Sequence, residues 1–207
     1  MGRRITILGM GLTGIRKADA IQQFVDGTEV WSLNNAMLEY PDVKFARYFE
    51  LHAAAYIKRW TWATGADGQP LPIESYYNKL EQLECPIYVG ECIPVSRTVK
   101  YPFEQVFAHF KTVYFLGSPS LMLALALWEH DSGNTIYELR SWGIDTNDPQ
   151  HGQQRASWAF WIGKALDRGI KVTGSALDFM NEYEKDAGLR GLREHIRRQT
   201  ETEERQG

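Results

Sequence analysis

The run Ile5-Thr6-Ile7-Leu8-Gly9-Met10-Gly11-Leu12-Thr13-Gly14 constrains the fold more than any other stretch, because it joins a short apolar strand to a glycine turn and then to a helical stretch, Ile15 to Phe24. In α/β proteins this is the junction that binds phosphate. Gly9 permits the tight turn, Gly11 lets the backbone approach a ligand, and Gly14 lets the following helix pack closely on the strand. The N–H groups and the positive end of the helix dipole then face an anion. A nucleotide or phosphate ligand is therefore expected at Gly9, Gly11 and Gly14, with a plain glycine-rich turn as the structural alternative.

Further segments that are short, apolar or β-branched read as buried strands: Arg4 to Leu8, Glu29 to Leu33, Phe45 to Phe49, Ile87 to Gly90, Thr112 to Leu116, Thr135 to Leu139 and Lys171 to Thr173. Helical patterns lie between them. Ala18, Ile21, Gln22 and Val25 share one helix face, and Phe103, Val106, Phe107 and Phe110 share another. Leu121 to Trp128 is apolar all round and is expected to be buried. Strands alternating with helices predict an α/β fold, a Rossmann-like three-layer sandwich whose sheet is mostly parallel.

The chain has 207 residues and 43% hydrophobic content, enough for one core. Residues 1–185 are expected to form a single nucleotide-binding domain. Within it, residues 53–83 form an aromatic-rich helical insertion or lid around Tyr56, Trp60, Trp62, Tyr76 and Tyr77. Residues 186–207 are expected to form an amphipathic helix that frays.

A net charge of −3 argues against sequence-independent nucleic-acid binding. No apolar run approaches the roughly 20 residues needed to cross a bilayer, and Met1-Gly2-Arg3-Arg4 leads directly into a strand, so a cytosolic protein is expected. Cys85 and Cys92 lack paired zinc-site spacing and read as two reduced structural thiols. No metal site is predicted, although Asp145 with a phosphate would suit Mg²⁺. Seven tryptophans make a self-association surface an open expectation.

Several residues at predicted strand ends carry chemistry. A dinucleotide site usually places an acidic residue at the end of the second strand, where this chain has Asn34 and Asn35; these offer amide groups to a sugar or base, or simply make a turn or helix cap. In Tyr48-Phe49-Glu50-Leu51-His52, alternation puts Glu50 and His52 on one side of an extended strand end. A carboxylate that orients an imidazole equips it for proton transfer, whereas a hydrogen-bonded pair at a strand terminus is the plain reading. In Gly117-Ser118-Pro119-Ser120, Ser118 and Ser120 sit where a helix N-terminus would receive a phosphate, or where one serine caps it. Asp145 would bind a ribose hydroxyl or metal, or act as a base, against an Asx-turn. Arg155 would clamp a phosphate, against a solvated ion pair.

Gly9-Met10-Gly11-Leu12-Thr13, the stretch Ser118 to Ala126 and Gly143-Ile144-Asp145 together resemble the pattern of 6-hydroxymethylpterin diphosphokinase-like proteins and of a bacterial sialyltransferase family. That resemblance implies a nucleotide or nucleotide-sugar ligand touching Gly9, Gly11, Thr13, Asn34 and Ser118. Trp31-Ser32-Leu33-Asn34-Asn35, Tyr48-Phe49-Glu50-Leu51-His52, Tyr101-Pro102, Gly143-Ile144-Asp145, Gln154-Arg155 and Trp161-Ile162-Gly163 are also similar to uncharacterised Rossmann-like proteins of tailed bacteriophages and prophages. A phage origin would imply the host cytoplasm. Those proteins carry a Glu-Tyr pair shortly before Gln-Arg, where this chain has Gln150 and His151.

The combined expectation is a nucleotide-dependent transferase of glycosyl or phosphoryl groups, with His52, Glu50 and Asp145 as its chemical groups. A non-catalytic nucleotide-sequestering protein and a nucleotide hydrolase or N-glycosidase are the alternatives.

Overall fold

Seven strands, β1 (Arg3–Leu8), β2 (Glu29–Leu33), β3 (Arg47–Glu50), β4 (Ile87–Val89), β5 (Thr98–Lys100), β6 (Ile136–Trp142) and β7 (Lys171–Gly174), form a single sheet in the computed structural model, which describes residues 2–10, 21–59, 69–144 and 152–174. The order is β5-β4-β3-β2-β1-β6-β7, and every pairing is parallel. β1 is an interior strand paired on both sides: Ile5 lies opposite both Glu29 and Leu139, and Leu8 opposite both Ser32 and Trp142.

Alternation along the strands divides the core in two. Ile5, Ile7, Trp31, Leu33, Phe49 and Leu139 point to one face and Leu8, Val30, Tyr48, Ile87, Val89 and Trp142 to the other. The second face is covered by α1 (Gln22–Val25), α2 (Ala36–Glu39), α3 (Ala54–Ile57) and α4 (Ile73–Glu81), the first by α5 (Phe103–Phe110), α6 (Ser118–Asp131) and α7 (Arg155–Asp167). This is the Rossmann-like α/β sandwich that the alternating pattern predicts.

α6 follows from its composition. Pro119 sits in its first turn, where no main-chain donor is lost, and every residue from Met122 to Leu127 is buried. Burying each large aliphatic side chain there stabilises the fold by about 1.5–3 kcal/mol. At the opposite end of this helix, Glu129 accepts Arg3 at 2.7 Å and Arg47 at 2.5 Å, and the Arg47 guanidinium lies 4.4 Å from the Trp31 ring.

Three expectations need correction. Thr112 to Leu116 is not a strand: the Tyr114 carbonyl accepts Ser157 Oγ (3.1 Å) and Trp161 Nε1 (3.0 Å), and the Leu116 amide donates to Ser157 Oγ (3.1 Å), so side chains of α7 replace a neighbouring strand. Thr98 to Lys100 is a strand that its sequence does not announce, because it is a three-residue edge with exposed Val99 and Lys100. Cys85 is buried but Cys92 is exposed, so only the first is a core thiol. In the insertion, Ile57, Tyr76, Tyr77 and Leu80 are core residues, whereas Tyr56 is 54% exposed. Trp60, Trp62 and residues 186–207 lie outside the described residues. Among the described residues, no helix is long and apolar enough to cross a membrane.

Candidate functional site

Because all seven strands are parallel, their carboxyl ends share one edge of the sheet. Strand order reverses between β1 and β6, and ligands of open α/β sheets bind in the crevice outside such a reversal. Gly9 stands at this point. Its N–H donates to the Trp142 carbonyl at 2.8 Å, and a Cβ placed on it would lie 2.5 Å from both Gly143 O and Ile144 Cδ1. A glycine is therefore required here by the close approach of the two strand ends. The Gly9 amide is engaged, so any amides that meet an anion would come from later in the turn. Gly11, Thr13, Gly14 and Asp145 lie outside the described residues.

Two strand spacings from β1, about 10 Å, the end of β3 carries Glu50 and His52. The Glu50 carboxylate is fully buried. Its Oε1 accepts His52 Nδ1 at 2.7 Å and the His52 amide at 3.2 Å, and its Oε2 accepts the Tyr76 hydroxyl from α4. A carboxylate on Nδ1 sets the imidazole so that Nε2 points away from Glu50, the arrangement of an oriented base. The Tyr56 ring of α3 stacks on His52 at 5.0 Å, and α3 is itself held at its start by Glu91 Oε2, which accepts the Ala54 amide at 2.9 Å.

Between these lies the end of β2. Asn34 adopts the left-handed conformation (φ 55°), which asparagine tolerates better than most residues. Its carbonyl accepts the Tyr48 hydroxyl at 2.7 Å, and the Tyr76 hydroxyl oxygen lies 3.3 Å from it. Its Oδ1 is buried, and no donor reaches it among the described residues. Asn35 is buried at the start of α2, where its carbonyl accepts the Leu38 amide at 2.8 Å. Tyr40, just after α2, donates to the Gly9 carbonyl at 3.3 Å. Burial holds the phenols of Tyr40, Tyr48 and Tyr76 above their ordinary range, so they act as neutral donors.

On the opposite face, the N-termini of α6 and α7 converge at the same edge. Gly117 precedes α6 with φ 116°, and the Gln154 side chain occupies the space a Cβ at Gly117 would need. Ser118 opens α6 and is half-buried, and Arg155 opens α7. Ser120 is turned into the core, with its hydroxyl 2.9 Å from that of Ser157.

The carboxyl edge thus gathers Glu50, His52 and Asn34 on one face through Tyr76, with Gly9 joined through Tyr40, while Ser118 and Arg155 lie at helix heads on the other. Tyr40 and Tyr76 escape a reading of the strand ends because each reaches the edge from elsewhere in the chain, and Tyr48 because it turns from within β3 onto the end of β2. The one signal for Tyr76 is the aromatic richness of the insertion. A separate cleft of about 590 Å³, floored by Met37, Phe45 and Cys85, opens at the amino end of β3 and β4, away from this edge. No group of three or more metal-ligating side chains occurs among the described residues.

No model of a known protein family matches the chain, and no curated protein matches it in sequence. Among solved structures, it is similar to the sialyltransferase CstII from Campylobacter jejuni, determined in complex with a substrate analogue, cytidine-5'-monophosphate. The two share 14% identity over 82% of this chain and 78% of that chain, with a TM-score of 0.46.

Proposed function

We propose that the chain is a nucleotide-dependent transferase that moves a glycosyl or phosphoryl group from a phosphorylated donor to a hydroxyl acceptor. The observation that carries this reading is the buried Glu50 carboxylate bonded to His52 Nδ1 at the carboxyl edge of a parallel sheet. In the reaction, His52 Nε2 takes the acceptor's hydroxyl proton, and the acceptor oxygen forms its bond to the transferred carbon or phosphorus. The bond from that atom to the departing phosphate oxygen breaks, and its electron pair leaves with the phosphate. Glu50 stabilises the imidazolium while it exists. The converging N-termini of α6 and α7, with Ser118, and the turn from Gly9 onward would meet the phosphate charge. Asn34 Oδ1, buried without a donor among the described residues, would accept a sugar hydroxyl or a base amino group. Asp145 and Arg155 would complete the sugar and phosphate contacts, and Mg²⁺ would enter through Asp145.

The test is calorimetry against a panel of nucleoside phosphates and nucleotide sugars, followed by ³¹P NMR and mass analysis of the recovered ligand with and without simple sugar acceptors. Transfer to an acceptor is the expected result, with His52→Ala lowering turnover by about 10²–10⁴-fold and leaving affinity nearly unchanged. Recovery of an unaltered ligand would make the protein a binder, and cleavage without an acceptor would make it a hydrolase; either outcome, or the absence of nucleotide binding, overturns the transferase reading.

A further inference from the structure

We propose that Tyr76 is a positioning residue for the His52 imidazole, acting through Glu50. The inference rests on the reading of His52 as the base.

Glu50 has no exposure to solvent, and among the described residues it forms no ion pair with a lysine or arginine. Among the described residues its orientation is therefore set by hydrogen bonds: His52 Nδ1 and the His52 amide on Oε1, and the Tyr76 hydroxyl on Oε2. The terminal torsion of a glutamate is soft. Without a donor on Oε2, the carboxylate is free to turn, and its alignment with Nδ1 loosens. No bulk water reaches this buried atom to replace the lost donor, so an unsatisfied lone pair there carries a desolvation penalty. Tyr76 is itself rigid: it has no exposed surface, sits in the middle of α4 and packs beside Tyr77. Its hydroxyl also lies 3.3 Å from the Asn34 carbonyl. One phenol thus touches the strand end that carries the base and the strand end proposed to hold the donor's sugar.

The experiment is ¹⁵N NMR of the His52 ring in the full chain, for the parent, Tyr76→Phe, Glu50→Gln and the double variant. The parent is expected to show a single form with Nδ1 protonated and bonded. Tyr76→Phe should lose that single-tautomer signature while retaining its backbone amide spectrum, and it should cause no additional change in the Glu50→Gln background, because the effect passes through Glu50. An unchanged His52 signature in folded Tyr76→Phe, or an equal effect in both backgrounds, overturns the proposal. Should Tyr76→Phe fail to fold, the Tyr76 hydroxyl proton of the parent supplies the test. It should resonate far downfield and move on Glu50→Gln, and a proton insensitive to that change overturns the proposal. None of these measurements involves a nucleotide, so loss of the positioning role and loss of the transferase reading are recognised separately.

Discussion

The phenol of Tyr48, midway along β3, donates to the main-chain carbonyl of Asn34 at 2.7 Å and accepts the Met37 amide at 2.9 Å, so one side chain closes the turn by which the chain leaves β2 for α2. The left-handed conformation of Asn34 is held in place by a partner fourteen residues away. Tyr48→Phe would leave a buried N–H without its acceptor. A loss of about 1–3 kcal/mol is expected, measured as a lower urea midpoint with an unchanged slope.

Gly9→Ala is expected to destabilise the protein by about 1–3 kcal/mol, because the added Cβ meets a carbonyl oxygen of the neighbouring strand end, which has little freedom to withdraw. A thermal midpoint equal to that of the parent would show that β1 and β6 separate more readily than this packing implies.

Leu125 lies inside a helix buried on every side. Truncation to alanine is expected to cost about 2–5 kcal/mol. A cost below 1 kcal/mol, read from chemical denaturation, would mean that α6 collapses into the space left behind.

Asp131, at the end of α6, accepts two hydrogen bonds from Arg168 (2.8 and 2.7 Å), which outweigh burial, and a further one from His109 (2.7 Å); together they hold its carboxyl at about 2. The folded value is below the unfolded one of about 3.9. Its contribution is therefore complete above the unfolded value and is lost as pH falls from about 4 towards 2. The stability gap between the parent and Asp131→Asn should be widest at neutral pH and narrow between pH 4 and pH 3. A gap of constant size would assign the effect to packing.

Burial pushes the Cys85 thiol up to about 11, whereas Cys92 is exposed after the end of β4. A disulfide reagent at pH 8 should titrate one thiol in the native protein and a second only after denaturation. Two fast equivalents would place Cys85 at the surface of its cleft.

Where apolar residues run continuously, as in Ile5 to Leu8 or Leu121 to Trp128, the strand or helix and its burial could be read directly, since such a run has no other way to leave water. The Glu50 and His52 pair was legible for a similar reason: residues close in sequence at a strand end have few ways to avoid each other. Thr112 to Leu116 has the composition of a strand but lies along α7, because the hydroxyl of Ser157 and the indole of Trp161 satisfy its main chain.

Local pattern thus settles which segments are buried and at which strand ends polar groups stand, because both depend on neighbours within a few residues. Long-range packing alone decides that Tyr76 reaches Glu50 and Asn34, that Tyr40 reaches Gly9, and that Gly9 must lack a Cβ beside Gly143 and Ile144. These contacts join residues 26 to more than 130 positions apart. Their partners are chosen by strand order, which no short stretch of chain encodes.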